Sequence, residues 1–149
     1  MPADLLDGLK VLDLGSGISA PWCSKILADY GAEVIKVESP GTGDASRRMG
    51  PFAGNDPDAE KSLTFLYLNT NKKGVTLDPL TVTGRKIFDR LLGNADVLVH
   101  NNPPAQSKEL GLDYDALARV NPGLVLTSIA PFGQTGPYKD FQATDIITY

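Results

Sequence analysis

The sequence predicts an α/β fold, in which a parallel β-sheet carries helices on both of its faces. Short apolar runs alternate with segments of helical periodicity along most of the 149 residues. This β-α-β alternation is typical of parallel sheets, whose strands need helical crossovers. Apolar residues make up 42% of the chain and charged residues 21%, so there is enough apolar material for a core.

The first half of the chain predicts two strands that flank a helix. Gly15 closes the first apolar run, and Gly31 follows the first helical segment as a stop signal. In chain order we predict a strand at 9–14, a helix at 21–30, a strand at 33–37, a break at 39–44 and a polar loop from about 47 to 62.

The second half predicts the remaining elements of the sheet. In chain order we expect a strand or a helical turn at 63–68, a strand at 74–77, a helix at 79–92, a strand at 95–99, a helix at 114–120 and a strand at 124–129. Thr144 and Asp145 resemble a helix N-cap, with a first turn at 146–149. One turn cannot sustain itself, so we expect the chain to be a piece of something longer.

Charge and composition exclude several classes of function. Fourteen Lys and Arg residues stand against eighteen Asp and Glu residues, giving a net charge of −4, which disfavours nucleic-acid binding. No apolar run is long enough for a membrane helix, and the N-terminus carries acids instead of the basic residues of a signal peptide. We therefore expect a cytoplasmic protein that is not bound to membranes.

The chain contains one cysteine and one histidine, Cys23 and His100. This excludes an internal disulfide, and it disfavours a metal site or a serine triad. We expect Cys23 to be a buried small residue, and His100 to be structural.

A glycine turn follows the first predicted strand. Residues 15–20 have the pattern Gly-x-Gly-x-x-Ala, and Glu38 ends the second strand about 20 residues later. This pattern fits a dinucleotide site, and it fits an S-adenosylmethionine site of the class I methyltransferase type better. Pro21 and Trp22 place bulk at the helix entrance and argue against both. A tight strand-helix connection without a ligand stays a third interpretation.

Several segments in order resemble one family, the family III CoA-transferases (the CaiB/BaiF family), which includes formyl-CoA and carnitine CoA-transferases and the α-methylacyl-CoA racemases. No single segment is decisive, but the ordered set is specific and covers nearly the whole chain. The segments are GLKVLDL at 8–14, LADYGAEVIKVE at 27–38, GTGDASR at 41–47, NTNKKGVTLD at 69–78, ADVLVHN at 95–101, LGLDY at 110–114, Asn121-Pro122, and PFGQTGPY at 131–138.

The resemblance implies that residues 1–149 are the N-terminal, Rossmann-like part of the family's large domain, incomplete at the C-terminus, in an interlocked homodimer. It implies transfer of CoA from an acyl-CoA to a small carboxylic acid through an aspartyl anhydride and an aspartyl-CoA thioester. The family's catalytic aspartate lies beyond the end of this chain, so no catalytic residue is assigned here. We expect the isolated chain to be inactive. Asp145 is interpreted as a helix cap, and Thr144 stands where the racemases have histidine, which favours a transferase.

The resemblance also implies a CoA site, with CoA as a substrate and neither a permanently bound cofactor nor a metal. CoA is polyanionic, so an acidic chain must gather cations locally. We predict CoA contacts at Gly17, Ile18, Arg47, Asn71, Lys72, Leu77 and Asn101. Two further interpretations stay open: a class I S-adenosylmethionine-dependent methyltransferase, and a non-catalytic fragment that binds CoA or assembles with another chain.

Overall fold

A computed structural model describes residues 5–143 of the chain. Its strands are β1 (Lys10–Asp13), β2 (Glu33–Glu38), β3 (Lys72–Thr76), β4 (Val97–His100) and β5 (Val125–Ser128). Its α-helices are α1 (Ser19–Asp29), α2 (Leu63–Leu68), α3 (Val82–Leu92), α4 (Pro104–Glu109) and α5 (Tyr114–Val120). Two 3₁₀ helices, Ala45–Arg48 and Ala53–Asn55, lie between β2 and α2. The helix start predicted at Thr144 and Asp145 lies outside the described residues.

The five strands within these residues form one parallel sheet in the order β3-β2-β1-β4-β5. Leu12 in the central strand pairs with Ile35 of β2 on one side and with Leu98 of β4 on the other. The connections run outward in opposite directions from β1, so the crevice at the carboxyl ends of β1 and β4 is a topological switch point. Ligands of open α/β sheets bind at such points.

Helices cover both faces of the sheet, and the predicted fold class is confirmed. On one face, Leu12 and Leu98 join a core with Phe88 and Leu92 of α3 and Leu117 of α5. On the other face, a second core joins α1 to the sheet, and its buried members are Val11, Ala20, Ala28, Ala32, Val34 and Val99. Adjacent residues of β1 thus enter opposite cores, because side chains alternate along a strand.

Hydrogen bonds at helix N-termini explain two differences between the predicted and the observed elements. Segment 63–68 is the helix α2, because the Ser62 hydroxyl accepts a hydrogen bond from the Phe65 N–H (3.1 Å) and caps its first turn. Helix α3 begins later than predicted, at Val82, because Thr81 caps it by accepting from the Gly84 N–H (3.0 Å).

Helix α4 was not predicted from the sequence. It begins at Pro104 and has six residues, which is too short for a clear helical periodicity. The signal that could have indicated it is proline at the first helical position, where the missing N–H costs nothing. None of the helices between residues 5 and 143 has the length and apolar character that a membrane span requires.

Candidate functional site

The candidate site is built around the glycine turn, which we define as residues 14–18 between β1 and α1. Gly15 packs so tightly that an added Cβ would lie 2.2 Å from the Ala20 Cβ. Gly17 has a φ of +78°, a conformation that disfavours other residues. Gly15 therefore allows the turn to pack closely against α1. Gly17 allows the left-handed backbone conformation of the turn.

Three consecutive backbone N–H groups of the glycine turn donate to side chains of the protein itself. Gly15 donates to Asp13 Oδ1 (2.9 Å), and Ser16 donates to Asn101 Oδ1 (2.9 Å). Gly17 donates to Asp44 Oδ1 (3.0 Å). Phosphate sites at glycine turns depend on N–H groups that point at the ligand. Here those donors are already used, which argues against the dinucleotide interpretation of this turn.

Four ionisable side chains, the buried charge cluster, lie beneath the turn: Asp13, Lys36, Asp44 and Lys72. Lys36 Nζ lies 2.6 Å from Asp44 Oδ2, 3.7 Å from Asp13 Oδ1 and 2.5 Å from the Gly15 carbonyl oxygen. The side chains of all four are at most 2% exposed. Two positive and two negative charges balance, as burial of charges requires.

Lys72 completes this cluster from the edge strand β3. Its ammonium donates to Asp13 Oδ2 (2.9 Å), the Pro21 carbonyl oxygen (2.8 Å) and Asn69 Oδ1 (3.0 Å). Burial lowers the pKa of Lys72, while the charge of Asp13 opposes that shift. All three of its donors meet internal partners. In the structure, Lys72 links β3 to the end of β1 and to α1. Its predicted contact with CoA stays a prediction.

Arg47 is also held by carboxylates of the protein. Its guanidinium binds both oxygens of Glu38, at 2.7 and 2.8 Å, and donates to Glu60 Oε1 (2.8 Å). It also lies 3.7 Å from the centroid of the Phe65 ring. The hydrogen bond from Arg47 is the main reason why the pKa of Glu38 is lowered. Both cations that we predicted for CoA phosphates therefore already have carboxylate partners.

Three further predicted residues, Asn101, Ile18 and Asn71, lie in three different places. Asn101 clamps the glycine turn, since its Nδ2 donates to the Ser16 carbonyl oxygen (2.7 Å) and to Ser19 Oγ (3.0 Å). Ile18 is 57% exposed and lies beside Trp22 on the surface of α1. Asn71 precedes β3, and its Nδ2 donates to Asp29 Oδ1 (2.9 Å) at the end of α1, away from the carboxyl edge of the sheet.

A cleft of about 300 Å³, the carboxyl-edge cleft, opens at the ends of β1, β2 and β3 and is bounded by residues that follow β4. Gly15, Ser16 and Leu77 contribute to its walls, and Leu77 also belongs to the core below. Three acidic residues, Glu38, Asp44 and Asp78, are part of its lining, together with Ser39, Asn102 and Gln106. Within the described part of the chain, no lysine or arginine lines this cleft. It therefore favours a neutral, hydrogen-bonding group over an anion.

Sequence reasoning missed the buried charge cluster. The available signal was a charged residue inside a run predicted to be a strand: Asp13 in the first and Lys36 in the second. Ionisable residues are almost never fully buried unless they are paired, so two of opposite sign in neighbouring buried strands indicate an ion pair. Asp44 and Lys72 lie outside those strands and could not be assigned to the same cluster.

The one cysteine and the one histidine of the chain, Cys23 and His100, are both at least partly buried. Cys23 is partly buried and packs against the core beneath α1, and burial raises the pKa of its thiol. His100 is 1% exposed at the end of β4, and burial lowers its pKa to about 4. Among residues 5–143, no group of His, Cys, Asp and Glu side chains is arranged to hold a metal ion.

The parallel sheet with helices on both faces defines this chain as an α/β protein. Its sequence matches the profile of CoA-transferase family III over residues 6–149. The chain belongs to this family, and the resemblance seen in its sequence motifs is confirmed.

Individual relatives support the same family. The chain is 40% identical over 139 residues to succinyl-CoA–D-citramalate CoA-transferase of Chloroflexus aurantiacus, which covers 93% of this chain and 34% of that protein. It is 39% identical over 146 residues to acetyl-CoA:oxalate CoA-transferase of Acetobacter aceti, covering 98% of this chain and 36% of the relative. The chain thus spans about a third of the length of these curated relatives.

A solved structure shows the same fold. The crystal structure of a CaiB/BaiF family protein from Brucella suis superimposes with a TM-score of 0.86 at 38% sequence identity. The match covers 97% of this chain and 38% of that one.

Proposed function

We propose that this chain is the N-terminal, CoA-binding portion of a family III CoA-transferase, which moves CoA between an acyl-CoA thioester and a small carboxylic acid. The carboxyl-edge cleft at the switch point of the sheet is the observation that carries the proposal. Family membership supports it, since the names of the two relatives above each state a CoA transfer. The acyl group and the acceptor acid are left open.

The chemistry of the cleft suggests which part of CoA it receives. The Asp78 carboxylate repels phosphate, whereas it accepts hydrogen bonds from amino and hydroxyl groups. Asn102 adds an amide whose Nδ2 is buried without a partner in the described residues. We therefore propose that the cleft holds the uncharged adenine base of CoA against Leu77, while the phosphates lie outside it and meet cations there.

The proposed reaction uses a carboxylate nucleophile that lies outside this chain. An aspartate attacks the acyl-CoA carbonyl carbon and forms a mixed anhydride, and CoA leaves as a thiolate. The thiolate attacks the aspartyl carbonyl, which releases the original acid and leaves an aspartyl-CoA thioester. The acceptor acid then repeats these two steps in reverse. The residues of this chain bind and orient CoA, and we propose that two copies of the complete enzyme associate as a cytoplasmic homodimer.

The proposal can be tested by titrating the 149-residue chain with CoA and with adenosine in a calorimeter. Both should bind, and CoA should displace adenosine. Asp78→Asn removes one negative charge from the cleft and keeps the oxygen that accepts from the Leu80 N–H. It should weaken adenosine binding roughly threefold, since the exchanged oxygen no longer accepts a hydrogen bond from the ligand and such a bond contributes about 0.5–1.5 kcal/mol. Asp58→Asn, an equal charge change in the exposed 56–61 loop, is the matched control and should leave the affinity unchanged.

Two further experiments distinguish the other two interpretations. Stabilisation by S-adenosylmethionine but not by CoA would favour a methyltransferase and contradict the proposal. Binding of CoA without any transfer, even when the remaining two thirds of a family enzyme are supplied as a second chain, would favour a non-catalytic binding or assembly fragment. Transfer activity in that mixture would support the enzyme.

A further inference from the structure

Contacts within the fold engage two of the three acidic residues that line the carboxyl-edge cleft. Arg47 donates to both carboxylate oxygens of Glu38, at 2.7 and 2.8 Å. One oxygen of Asp44 lies 2.6 Å from Lys36 Nζ, as part of the buried charge cluster. Asp78, the third acidic residue, pairs with no lysine or arginine of residues 5–143. A ligand in the cleft therefore meets one carboxylate that no cation holds.

The loop between β3 and α3 fixes the position of Asp78. Its Oδ1 accepts from the Leu80 N–H (2.9 Å), and its backbone carbonyl oxygen accepts from the N–H and the hydroxyl of Thr81 (3.2 and 2.9 Å). In the described part of the chain, no group donates to Asp78 Oδ2. An ionised carboxylate only accepts hydrogen bonds, so this oxygen offers a ligand one acceptor.

Asn102 lies beyond the end of β4 and supplies a donor to the same cleft. Its N–H donates to His100 Nδ1 (3.2 Å), and its carbonyl oxygen accepts from Ser107 Oγ (3.1 Å) and Gln134 Nε2 (3.3 Å). Its Nδ2 is buried and has no hydrogen-bond partner among the described residues. Buried polar groups are nearly always paired, so this nitrogen indicates a ligand atom that accepts a hydrogen bond.

One acceptor and one donor in a small apolar cleft match the edge of adenine that carries its amino group. That edge has an exocyclic amino group, which donates, next to a ring nitrogen, which accepts. Leu14, Leu77 and Leu80 supply apolar surface for the ring. The volume of about 300 Å³ is at the lower end of the range for small-molecule sites and suits one base instead of a whole CoA molecule.

We propose that Asp78 and Asn102 together recognise the amino edge of adenine, an inference that rests on the proposed function. The exocyclic amino group donates to Asp78 Oδ2. The ring nitrogen beside it accepts from Asn102 Nδ2. These two residues thus determine which base the cleft accepts, whereas Leu77 contributes contact that any purine would make.

The test for Asp78 compares adenosine with purine riboside, which lacks the amino group, in NMR titrations of the ¹⁵N-labelled 149-residue chain. Purine riboside should bind about three- to tenfold more weakly, because it cannot donate to Asp78. In Asp78→Asn the two ligands should differ by less than about twofold, since the acceptor is gone. Asp58→Asn, in the exposed 56–61 loop, is the matched control and should keep the original preference.

The test for Asn102 uses 1-deazaadenosine and 7-deazaadenosine, each of which replaces one ring nitrogen beside the amino group with a C–H group. One of the two should bind about three- to tenfold more weakly than adenosine. In Asn102→Leu, which removes the donor and keeps a similar volume, that difference should disappear. Gln142→Leu changes an exposed amide outside the cleft lining and should leave the difference in place. Amide spectra show whether each variant keeps the fold.

Three results would overturn the inference. The first is equal binding of adenosine and purine riboside by the original chain. The second is equal binding of adenosine and both deaza analogues. The third is a preference that persists unchanged in folded Asp78→Asn and Asn102→Leu proteins. Any of these, with CoA still bound by the original chain, leaves the proposed function intact. An original chain that binds neither CoA nor adenosine would contradict the proposed function and this inference with it.

Discussion

Lys36 and Asp44 form an ion pair of 2.6 Å beneath the glycine turn, and the side chains of both are at most 2% exposed. The same ammonium donates to the Gly15 carbonyl oxygen, and the other Asp44 oxygen accepts from the Gly17 N–H. Burial pushes the pKa of Asp44 up, but Lys36 and Ser46 together outweigh that effect and keep the pKa below its ordinary value. The pair therefore joins the turn to β2 and to the loop that follows it.

Replacing Lys36 with methionine should strongly destabilise the protein. The change leaves Asp13 and Asp44 buried with Lys72 as the one cation of the cluster. Removing one partner of a buried ion pair typically costs about 3–5 kcal/mol. Urea denaturation measures the free energy of unfolding. The double variant Lys36→Met/Asp44→Asn should recover part of the loss, and a loss below about 1 kcal/mol in the single variant would refute the assigned role.

Lys72 and Lys73 are adjacent in β3 but should respond differently to the same change. The Lys72 side chain is 1% exposed and the Lys73 side chain is 71% exposed. Lys72→Met should cost several kcal/mol, roughly as for other buried pairs, whereas Lys73→Met should change the free energy of unfolding by less than about 1 kcal/mol.

The same pair of variants tests the predicted contact between Lys72 and CoA. Since all three ammonium donors of Lys72 have internal partners, folded Lys72→Met protein should keep its CoA affinity within about threefold of the original. Calorimetry at a temperature where the variant is folded provides the measurement. A much larger loss of affinity, with native amide spectra, would show instead that Lys72 contacts CoA.

Gly15→Ala should destabilise the turn, because the added methyl group would lie 2.2 Å from the Ala20 Cβ and 3.2 Å from Asn101 Oδ1. Overpacking of this kind typically costs about 1–3 kcal/mol. Gly74→Ala is the matched control, since no atom lies within 4 Å of its added Cβ. Thermal unfolding compares the two, and equal midpoints would contradict the tight packing described for Gly15.

Stability should fall as the pH is lowered from 6.5 to about 4 because of His100. Burial lowers its pKa from 6.5 to about 4 in the folded chain, so the unfolded chain binds more protons in this range. The contribution of neutral His100 to the free energy of unfolding is complete above pH 6.5 and is lost as the pH falls toward 4. The total loss is about 3 kcal/mol at most.

The measurement is urea denaturation at a series of pH values. His100→Gln, which cannot titrate, should have a flatter profile over the same range than the original chain. Identical slopes for the two proteins would show that another group causes the loss of stability.

The sequence alone determined the fold class and most elements, because these depend on local patterns. The helix predicted at 114–120 is α5, and the strands predicted at 9–14 and 33–37 contain β1 and most of β2. Short segments were less predictable. The sequence left 63–68 as a strand or a helical turn, which in the structure is the helix α2 capped by Ser62, and α4 was not predicted. The ordered motifs were also sufficient to indicate the family, which the profile match confirms.

Only the tertiary structure decided which partners these polar side chains have. Arg47, Lys72 and Asn71 each contact a carboxylate within the fold, at Glu38, Asp13 and Asp29, and their predicted contacts with CoA stay predictions. Those partners are between 9 and 59 residues away along the chain. A local pattern records which side chains are polar, whereas their partners are set by the order of the strands, which brings residues that are distant along the chain into contact.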